Sequence, residues 1–575
     1  MELTIPAFLI SFMSAVNLYF PEIVDPNLKP VDTPQSELDS EYDFIIVGAG
    51  SAGCVVANRL TENPAWKVLL IEAGRNDDAI TNTPYLSVFS QNSEKDWNYT
   101  SVPQKNACAE QNGVCPYPRG RVMGGSSAIN YMIYVRGHKE NYDEWEKAGN
   151  SGWGYKDVLP YFIKAENYSI PSLSSSPLHG KSGPQSVQYA RYQSGLARDF
   201  IKGSEEIGFR YDDYNNGDQR DVVSEIQLTM KGPLRASTSS AYLNPIRNRK
   251  NLKVIMGSQV KNILIEKNVA KGVEYVRDGK TEKVYAKEVI LSAGAIDTPK
   301  LLMLSGIGPK EELEKHGIPV KRNLPVGKLL WDHPLISFFF EISNANTFSP
   351  DVWRTNKSIN EFTRERKGPL TAMPFEVTAF FNPLKKKSPP TIQLIYSIGY
   401  TDLLLGTDKK LLWGVIGLVQ PKSVGSLSLN NNDYKTPPLI DPNFLNETVD
   451  FEHVRKAVDK LFEFTRSPAM KKYSPKLTTE FQPLCKGLPE KQFKDCVVSR
   501  YGISYYHPVG TARMGPVQDK FAVVNPRDLK VWGIDNLRLI DASVMPNIPA
   551  GNTNGPTIMI AEKAADIIKQ NYKFA

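Results

Sequence analysis

The length and composition of the chain indicate a large globular protein. It has 575 residues, of which 41% are hydrophobic and 23% charged, and its net charge is +7. At roughly 100 to 200 residues per domain, this length allows two to four lobes. The cations are interspersed with 62 acidic residues, and the basic runs 247–250 and 385–387 contain no aromatic residue. Such runs are more often solvated surface than a nucleic-acid patch, so no nucleic-acid partner is expected.

The chain begins with an apolar segment, residues 5–20, with few polar interruptions. It is shorter than the roughly 20 residues that a membrane-spanning helix needs, so no membrane span is expected. The segment suits a secretory signal peptide over residues 1–20, followed by a linker over 21–40. Glu2 in place of a cation, and the lack of a clean A-x-A cleavage site, leave an uncleaved amphipathic or buried start as the alternative. A secreted protein also agrees with N-x-S/T sequons, which begin at Asn98, Asn167, Asn356 and Asn446.

The cysteines agree with secretion without deciding it. Cys108 and Cys115 lie close together in one polar loop, and Cys485 and Cys496 lie close together in another. Two local disulfides and a lone Cys54 would suit an oxidising compartment, whereas reduced thiols are the alternative if the first segment is not a signal. No spacing of cysteines and histidines suggests zinc, and no metal is expected.

A strand, a glycine-rich turn, a helix and a second strand follow one another after the linker. The apolar run 42–47 is typical of a strand buried on both faces. Residues 48–53 read GAGSAG and lead into a helix-like stretch over 54–61, and a second apolar run, 67–71, ends at Glu72. This order is that of a βαβ dinucleotide-binding unit, which we favour over a merely structural glycine turn.

Each residue type in this unit has a physical reason. Gly48 permits the tight turn, Gly50 lets the backbone approach a pyrophosphate, and Gly53 lets the helix pack closely on the sheet. The positive end of the helix then faces the phosphates. Glu72 is spaced to accept hydrogen bonds from the ribose hydroxyls. No second complete unit follows, so no separate NAD(P) site is expected.

Later segments predict how the fold is completed. The apolar strand 287–294, followed by a helix over 298–304, is expected to complete the nucleotide-binding sheet. Between about 338 and 500 the strand patterns are short, for example 338–342 and 425–429, which suits a substrate lobe built on a second sheet. The predicted class is α/β, or α+β overall, with a Rossmann-like domain and a sheet-based substrate domain.

Three motifs carry a resemblance to a known family. They are GRVMGGSSAIN over 120–130, GAIDTPKLLMLSGIG over 294–308 and LPVGKLLWDHP over 324–334. With them, residues 41–570 resemble the glucose-methanol-choline (GMC) oxidoreductases, in particular the secreted insect branch of the glucose dehydrogenase and salicyl alcohol oxidase type. The resemblance implies the GMC fold and one FAD. Ile129 stands where some relatives carry a histidine bonded to FAD, which implies a noncovalent cofactor. Met123 and Leu329 depart from the usual pattern, and Leu329 replaces the usual asparagine.

The resemblance also implies a division of the chain. Residues 41–337 would form the N-terminal FAD-binding region, 338–500 mainly the substrate-binding region, and 501–570 a return to the FAD domain with the catalytic residues, within a C-terminal family region of about 425–568. The residues implied to bind the cofactor are Gly48, Gly50, Ser51, Ala52, Gly53, Glu72, Arg121, Gly124, Gly125, Ser127, Asn130, Tyr131, Met132, Ile133, Val260, Asp541, Ala542, Asn552 and Thr553.

The candidate catalytic residues lie near the C-terminus. An alcohol releases hydride only as its hydroxyl proton leaves, so the reaction needs a base whose pKa is near the working pH; histidine, at about 6.5, meets this requirement. By itself a histidine beside proline would more often be structural, but the segment 506–515 looks like the catalytic loop of the family. His507 is therefore assigned as general base, Asn552 as the amide that stabilises the alkoxide, and flavin N5 as hydride acceptor. Asp332 and His333 are expected to be architectural.

These inferences predict FAD-dependent oxidation of a small primary alcohol to an aldehyde, with electrons passed to oxygen. A quinone-dependent dehydrogenase of a sugar or another alcohol is the first alternative, and an FAD-containing lyase on the same scaffold is the second. A noncatalytic binding protein is disfavoured by the intact His507 and Asn552 pair. A small aromatic or terpenoid alcohol is slightly favoured, because a His/Asn pair needs no sugar-specific polar network.

Overall fold

The structure is a computed structural model that describes residues 2–573. The α-helices in this range are α1 (Ile5–Tyr19), α2 (Gly53–Leu60), α3 (Ala79–Asn82), α4 (Lys139–Lys147), α5 (Tyr155–Ala165), α6 (Ala197–Glu206), α7 (Gly294–Leu304), α8 (Lys310–Lys315), α9 (Pro350–Trp353), α10 (Asn356–Thr363), α11 (Thr401–Leu404), α12 (Thr448–Thr465), α13 (Pro468–Lys471), α14 (Glu490–Arg500) and α15 (Asn554–Lys573).

The strands are spread over the whole chain and form two large sheets and several two-stranded pairs. They are β1 (Glu41–Val47), β2 (Val68–Ile71), β3 (Tyr99–Thr100), β4 (Pro116–Tyr117), β5 (Glu166–Tyr168), β6 (Gln185–Val187), β7 (Arg210–Tyr211), β8 (Val222–Glu225), β9 (Met230–Lys231), β10 (Leu234–Arg235), β11 (Leu252–Ile255), β12 (Ser258–Glu266), β13 (Val269–Arg277), β14 (Lys280–Leu291), β15 (Ile307–Gly308), β16 (Arg322–Asn323), β17 (Pro334–Glu341), β18 (Phe375–Phe381), β19 (Ile392–Ser397), β20 (Leu411–Leu418), β21 (Ser426–Ser428), β22 (Leu439–Asp441), β23 (Lys476–Thr478), β24 (Ile503–Ser504) and β25 (Leu537–Leu539).

The first sheet has the parallel arrangement that the βαβ pattern predicts. Its order is β11-β2-β1-β14-β13-β12, with β25 paired to β14, and β11, β2, β1, β14 and β25 run parallel. Residues 287–291 of the predicted strand 287–294 form the end of β14, which lies beside β1 with Leu291 opposite Val47. Strands buried on both faces need continuous apolar runs, and β2 is buried at every position. β25 and the long α15, which packs on α2 and α5, return the end of the chain to this sheet.

The second sheet is largely antiparallel and is ordered β23-β17-β20-β19-β18-β8-β7, with β24 beside β17. The predicted strand 338–342 lies mostly in β17, but the predicted strand 425–429 contains β21, which pairs with β22 outside this sheet. β7 and β8 come from the segment 210–225, which the sequence placed in the FAD-binding region. α12 packs on β19 and β20, so this half of the molecule has an apolar core of its own.

The apolar first segment forms α1, which packs against the protein. Phe8, Phe12 and Val16 are fully buried, and their spacing of four residues places them on one face of the helix. Phe8 meets Trp353 with ring centroids 5.1 Å apart, and Phe12 meets Phe362 at 5.8 Å. Residue 1 of the predicted signal segment lies outside the described residues.

Other features bear on the sequence-based expectations. Cys108 pairs with Cys115 and Cys485 with Cys496, while Cys54 is a buried free thiol. Among residues 2–573, no helix has both the length and the apolarity needed to cross a bilayer. Within the same range no group of three or more His, Cys, Asp or Glu side chains is arranged to hold a metal ion.

Candidate active site

A cavity of about 480 Å³ lies where loops of the first sheet face the second sheet. One wall is formed by the glycine turn after β1, by segments between residues 91 and 133, and by the start of α7. The opposite wall comes from strands of the second sheet, and the loops over 503–508 and 541–557 close it. Binding in front of the carboxyl ends of parallel strands is the general rule for open α/β sheets.

The glycine turn has the shape that a pyrophosphate group requires. Gly48 has φ of +96°, and a Cβ there would lie 2.6 Å from the carbonyl oxygen of Ser292. A Cβ on Gly53 would lie 1.9 Å from the carbonyl oxygen of Gly48, so this glycine serves the close packing of α2. Gly50 lines the cavity, and the nearest atom to a Cβ there is 3.9 Å away. The open face of the turn therefore fits a dinucleotide phosphate at the start of α2.

Glu72 lines the same part of the cavity and braces the turn. Its Oε2 accepts from the backbone N–H of Ala49 and its Oε1 from that of Gly74, both at 2.8 Å. Burial raises the pKa of Glu72 to about 7, and these two backbone donors counteract part of that rise. Each carboxylate oxygen can accept a second hydrogen bond, so the contact with Ala49 does not prevent one to a ribose hydroxyl.

Most of the residues implied to bind FAD line this cavity, but Gly53, Arg121, Gly124 and Ser127 do not. Ser127 receives the backbone N–H of Thr238 and donates to the carbonyl of Gly124, which holds the loop together. Arg121 is exposed and lies over the ring of Trp97, 5.1 Å from its centroid. Gly53 and Gly124 likewise do not line the cavity. Those that line it are Gly48, Gly50, Ser51, Ala52, Glu72, Gly125, Asn130, Tyr131, Met132, Ile133, Val260, Asp541, Ala542, Asn552 and Thr553.

The structure brings the two candidate catalytic side chains together at the cavity wall. His507 follows β24 and Asn552 precedes α15, yet Nε2 of His507 lies 3.2 Å from Nδ2 of Asn552. Asp332 helps to hold this geometry, because its Oδ1 accepts the backbone N–H of His507 at 2.8 Å. The other oxygen of Asp332 accepts from the hydroxyls of Tyr117 and Ser504.

Burial controls the protonation of this site. Desolvation lowers the pKa of His507 well below 6.5, and the nearby His333 and Arg119 lower it further. Desolvation also lowers the pKa of His333, to about 3. Both imidazoles are therefore neutral at neutral pH, and a neutral histidine can accept a proton. Burial raises the pKa of Asp332, against the opposing effect of its hydrogen-bond donors.

Comparisons with known proteins identify the family. The GMC oxidoreductase N-terminal model matches residues 42–335, and the C-terminal model matches residues 421–561. The chain belongs to the GMC oxidoreductases. Like its FAD-dependent structural relatives, this GMC oxidoreductase uses FAD and acts on an alcohol-type donor.

Sequence and structural relatives cover nearly the whole GMC oxidoreductase. It is 35% identical to the FAD- and quinone-dependent glucose dehydrogenase of Drosophila melanogaster, over 96% of this chain and 90% of the relative. It is 37% identical to the mitochondrial choline dehydrogenase of Homo sapiens, over 93% and 91%. Formate oxidase from Aspergillus oryzae superposes with a TM-score of 0.84 at 29% identity, over 93% and 99%. A fungal aryl-alcohol oxidase superposes at 0.79 with 25% identity, over 93% and 100%.

Several residues of the GMC site were not predicted from the sequence to be functional. His333 is fully buried, and its Nδ1 lies 3.0 Å from Nδ1 of His507. Gln393, in the fully buried strand β19, donates from Nε2 to Oδ1 of Asn552 at 3.4 Å. The motif around His333 was recognised but interpreted as architectural, whereas Gln393 stands in a continuous apolar strand without any motif. The side chains of the second sheet that line the cavity were also not predicted: Leu335, Phe375, Ile395, Trp413, Val415, Ile503 and Ser504.

Proposed function

We propose that this chain oxidises a primary alcohol to an aldehyde, with His507 as general base and Asn552 as donor to the alcohol oxygen. The observation that supports this most directly is the 3.2 Å approach of His507 Nε2 to Asn552 Nδ2 in a cavity that also contains the dinucleotide turn. His507 takes the hydroxyl proton at Nε2. The N–H of Asn552 stabilises the negative charge that develops on oxygen. FAD, when bound, supplies the hydride acceptor.

We propose that the FAD is held without a covalent bond. The glycine turn, Glu72 and the loop at 125–133 form the lining that suits the dinucleotide. Ile129 faces the same cavity and offers no nucleophile for attachment to the ring. Denaturing the protein with acid should release all the flavin into the supernatant. Yellow colour that stays with the pellet would contradict this proposal.

The lining of the substrate side supports an apolar alcohol, aromatic or terpenoid. The second sheet contributes mainly aliphatic and aromatic side chains to the cavity, with Ser504 of β24 as a polar exception, and Ile395 and Val415 are almost completely buried. The charged side chain that acts on His507 is Arg119, a cation, which disfavours a quaternary ammonium substrate. The fungal relative that is an aryl-alcohol oxidase agrees with this substrate class. The choline dehydrogenase relatives make choline the necessary comparison.

The decisive experiment is anaerobic mixing of the purified enzyme with a panel of alcohols while flavin absorbance is followed. We expect aromatic and terpenoid primary alcohols to bleach the flavin, and glucose and choline to do so far more slowly. Bleaching by choline alone would contradict the apolar substrate, and bleaching by no alcohol would favour the lyase alternative.

We propose oxygen as the electron acceptor, in line with the structural relatives that are oxidases of formate, pyridoxine and aryl alcohols. The insect glucose dehydrogenases are quinone-dependent by name, so a quinone is the competing acceptor. Hydrogen peroxide formed under air should equal the aldehyde formed. Turnover that needs an added quinone and gives no peroxide would assign the dehydrogenase instead.

We propose that the protein is secreted and glycosylated. The two disulfides suit an oxidising compartment, and the sequon residues Asn98, Asn356 and Asn446 are exposed. Treatment of the secreted protein with an N-glycosidase should reduce its mass. Mass spectrometry of the N-terminal peptide should show that the mature protein begins after residue 20 if the segment is a signal peptide. An N-terminal peptide that includes α1 would instead assign the apolar start to the mature fold, where it packs on Trp353.

A further inference from the structure

Four side chains, of which Asn552 is partly buried and the other three are buried, form a continuous row at the alcohol site. Nε2 of Gln393 lies 3.4 Å from Oδ1 of Asn552, and Nδ2 of Asn552 lies 3.2 Å from Nε2 of His507. Nδ1 of His507 in turn lies 3.0 Å from Nδ1 of His333. Gln393 and His333, at the two ends, are fully buried and do not line the cavity.

The chemistry of these groups gives every hydrogen bond in the row the same direction. An amide nitrogen can only donate, so Nε2 of His507 accepts from Asn552. A neutral imidazole carries a single N–H, which is therefore on Nδ1 of His507. That N–H faces Nδ1 of His333, which must accept it, so the proton of His333 is on Nε2. Nε2 of His333 is buried and makes no hydrogen bond to the described residues, and backbone groups of Val419 and Pro549 near the ring raise its pKa against the larger effect of burial.

We propose that His333 and Gln393 are positioning residues that set the proton position on His507 and the orientation of the Asn552 amide. This inference rests on the proposed function of that pair. With His333 accepting at Nδ1, the lone pair of His507 is at Nε2, where it accepts from Asn552 until the hydroxyl of a bound alcohol takes that place. With Gln393 bonded to Oδ1, the amide of Asn552 presents its N–H to the same place. His333, at one end of the row, thus orients the base, and Gln393, at the other end, orients the amide donor.

The group behind the base is a neutral imidazole, which differs in effect from a carboxylate. A carboxylate would raise the pKa of His507 by stabilising its charged form. His333 fixes the proton position without adding negative charge, and burial keeps the pKa of His507 low. During catalysis the O–H bond of the alcohol breaks and an N–H bond forms at Nε2 of His507. The Nδ1–H bond to His333 persists, so no proton has to pass to His333.

The first test measures the tautomer directly, by ¹⁵N spectroscopy of FAD-loaded enzyme labelled on histidine. The chain has 6 histidines, so a spectrum of the His507→Ala variant suffices to assign His507. We expect Nδ1 of His507 to be protonated at neutral pH and Nε2 to be unprotonated. In His333→Leu, which removes the acceptor, a signal of protonated Nε2 should appear. A wild-type His507 protonated at Nε2 would overturn the proposal, whether or not any alcohol is oxidised.

The second test measures flavin reduction by alcohol in the same variants. We expect His333→Leu to slow flavin reduction by about 10²-fold, because a base in the wrong tautomer cannot accept the proton. His333→Asn, whose Oδ1 can replace the Nδ1 acceptor, should recover most of the rate with the tautomer restored. The control is His138→Leu, a fully buried histidine that caps α4 far from the row in sequence.

The outcomes separate positioning from general stability. If His333→Leu and His138→Leu lower the melting temperature similarly but only the former slows flavin reduction, the proposal stands. Equal rates and equal tautomer populations in wild type and His333→Leu would overturn it. Gln393→Leu should lower the rate by about tenfold with the His507 tautomer unchanged, and a wild-type rate there would remove Gln393 from the assignment.

Discussion

The two walls of the active-site cavity were built in different ways. The cofactor wall, formed by the loops that follow the parallel strands of the first sheet, is constrained mainly in its backbone. Gly48 and Gly53, for example, admit no Cβ. The substrate wall consists of single side chains from antiparallel strands, such as Leu335, Phe375 and Trp413, which lie far apart in the sequence. A constraint on the backbone requires glycine at fixed spacings, and this pattern can be recognised in a sequence. Side chains that only shape a pocket can be of many apolar types, so they leave no recognisable pattern. The comparison explains why the cofactor was predictable from the sequence and the substrate only weakly so.

The largest expected effect comes from removing the proposed base, which tests whether the substrate and the cofactor react with each other in this cavity. His507→Ala should slow flavin reduction by about 10²- to 10⁴-fold, because the proton acceptor is lost, while FAD stays bound. Stopped-flow absorbance under anaerobic conditions measures this rate. His453→Ala, which removes a half-buried histidine next to Thr391, serves as control and should react at the wild-type rate. Near-wild-type reduction in His507→Ala would remove the base from the proposed function.

The second expected effect is confined to the cofactor wall. Glu72→Ala should weaken FAD binding by about 10- to 100-fold, the range expected for losing charge-assisted hydrogen bonds. Flavin fluorescence on dilution gives the affinity. Glu72→Gln keeps an acceptor and should lose less, and Glu62→Ala, a partly exposed acid that pairs with Arg59, should lose nothing. An unchanged affinity in Glu72→Ala would contradict the ribose role.

The cofactor wall shows how far the sequence could lead. The strands β1 and β2, the turn at Gly48 and the joining of β14 to the sheet all followed from apolar runs and glycine spacing. Not every residue that the family resemblance assigned to FAD binding lines the cavity. Arg121 belongs to the recognised motif but stacks on Trp97, because its neighbours in the loop, and not its own side chain, face the cavity.

The substrate wall shows why the rest could not be predicted. β19 is buried at every position, so no periodicity distinguishes Ile395, which faces the cavity, from its neighbours. Gln393 in the same strand acts only through Asn552, a partner 159 residues away. The strand 425–429 was predicted correctly as a strand, but its pairing with β22 depends on contacts that a local pattern does not contain.

A smaller effect would sharpen the assignment of the substrate wall. Trp413→Leu should lower kcat/KM for an aromatic alcohol by about tenfold, since it removes part of an apolar pocket wall. FAD affinity should not change, because Trp413 lies on β20, away from the glycine turn. Trp353→Leu is the control: this tryptophan is buried under α1, so the change should lower stability but not alter the preference among alcohols. An equal loss for all alcohols in Trp413→Leu would show that the residue does not select substrate.

The smallest expected effect concerns pH, and it depends on both walls. His507 is surrounded by His333, whose pKa burial lowers to about 3, by Arg119, by the Tyr505 ring and by Asp332, which binds its backbone N–H. Burial is the largest cause of its lowered pKa, followed by His333 and Arg119. The base works when neutral, so activity is complete above the pKa of His507 and is lost as the pH falls through it. Because that pKa lies well below 6.5, the rate of flavin reduction should change less than about twofold between pH 7.5 and 6.5, and should decline only at lower pH. A decline centred at or above pH 6.5, measured in buffers of constant ionic strength, would show that the loaded site stabilises the imidazolium instead.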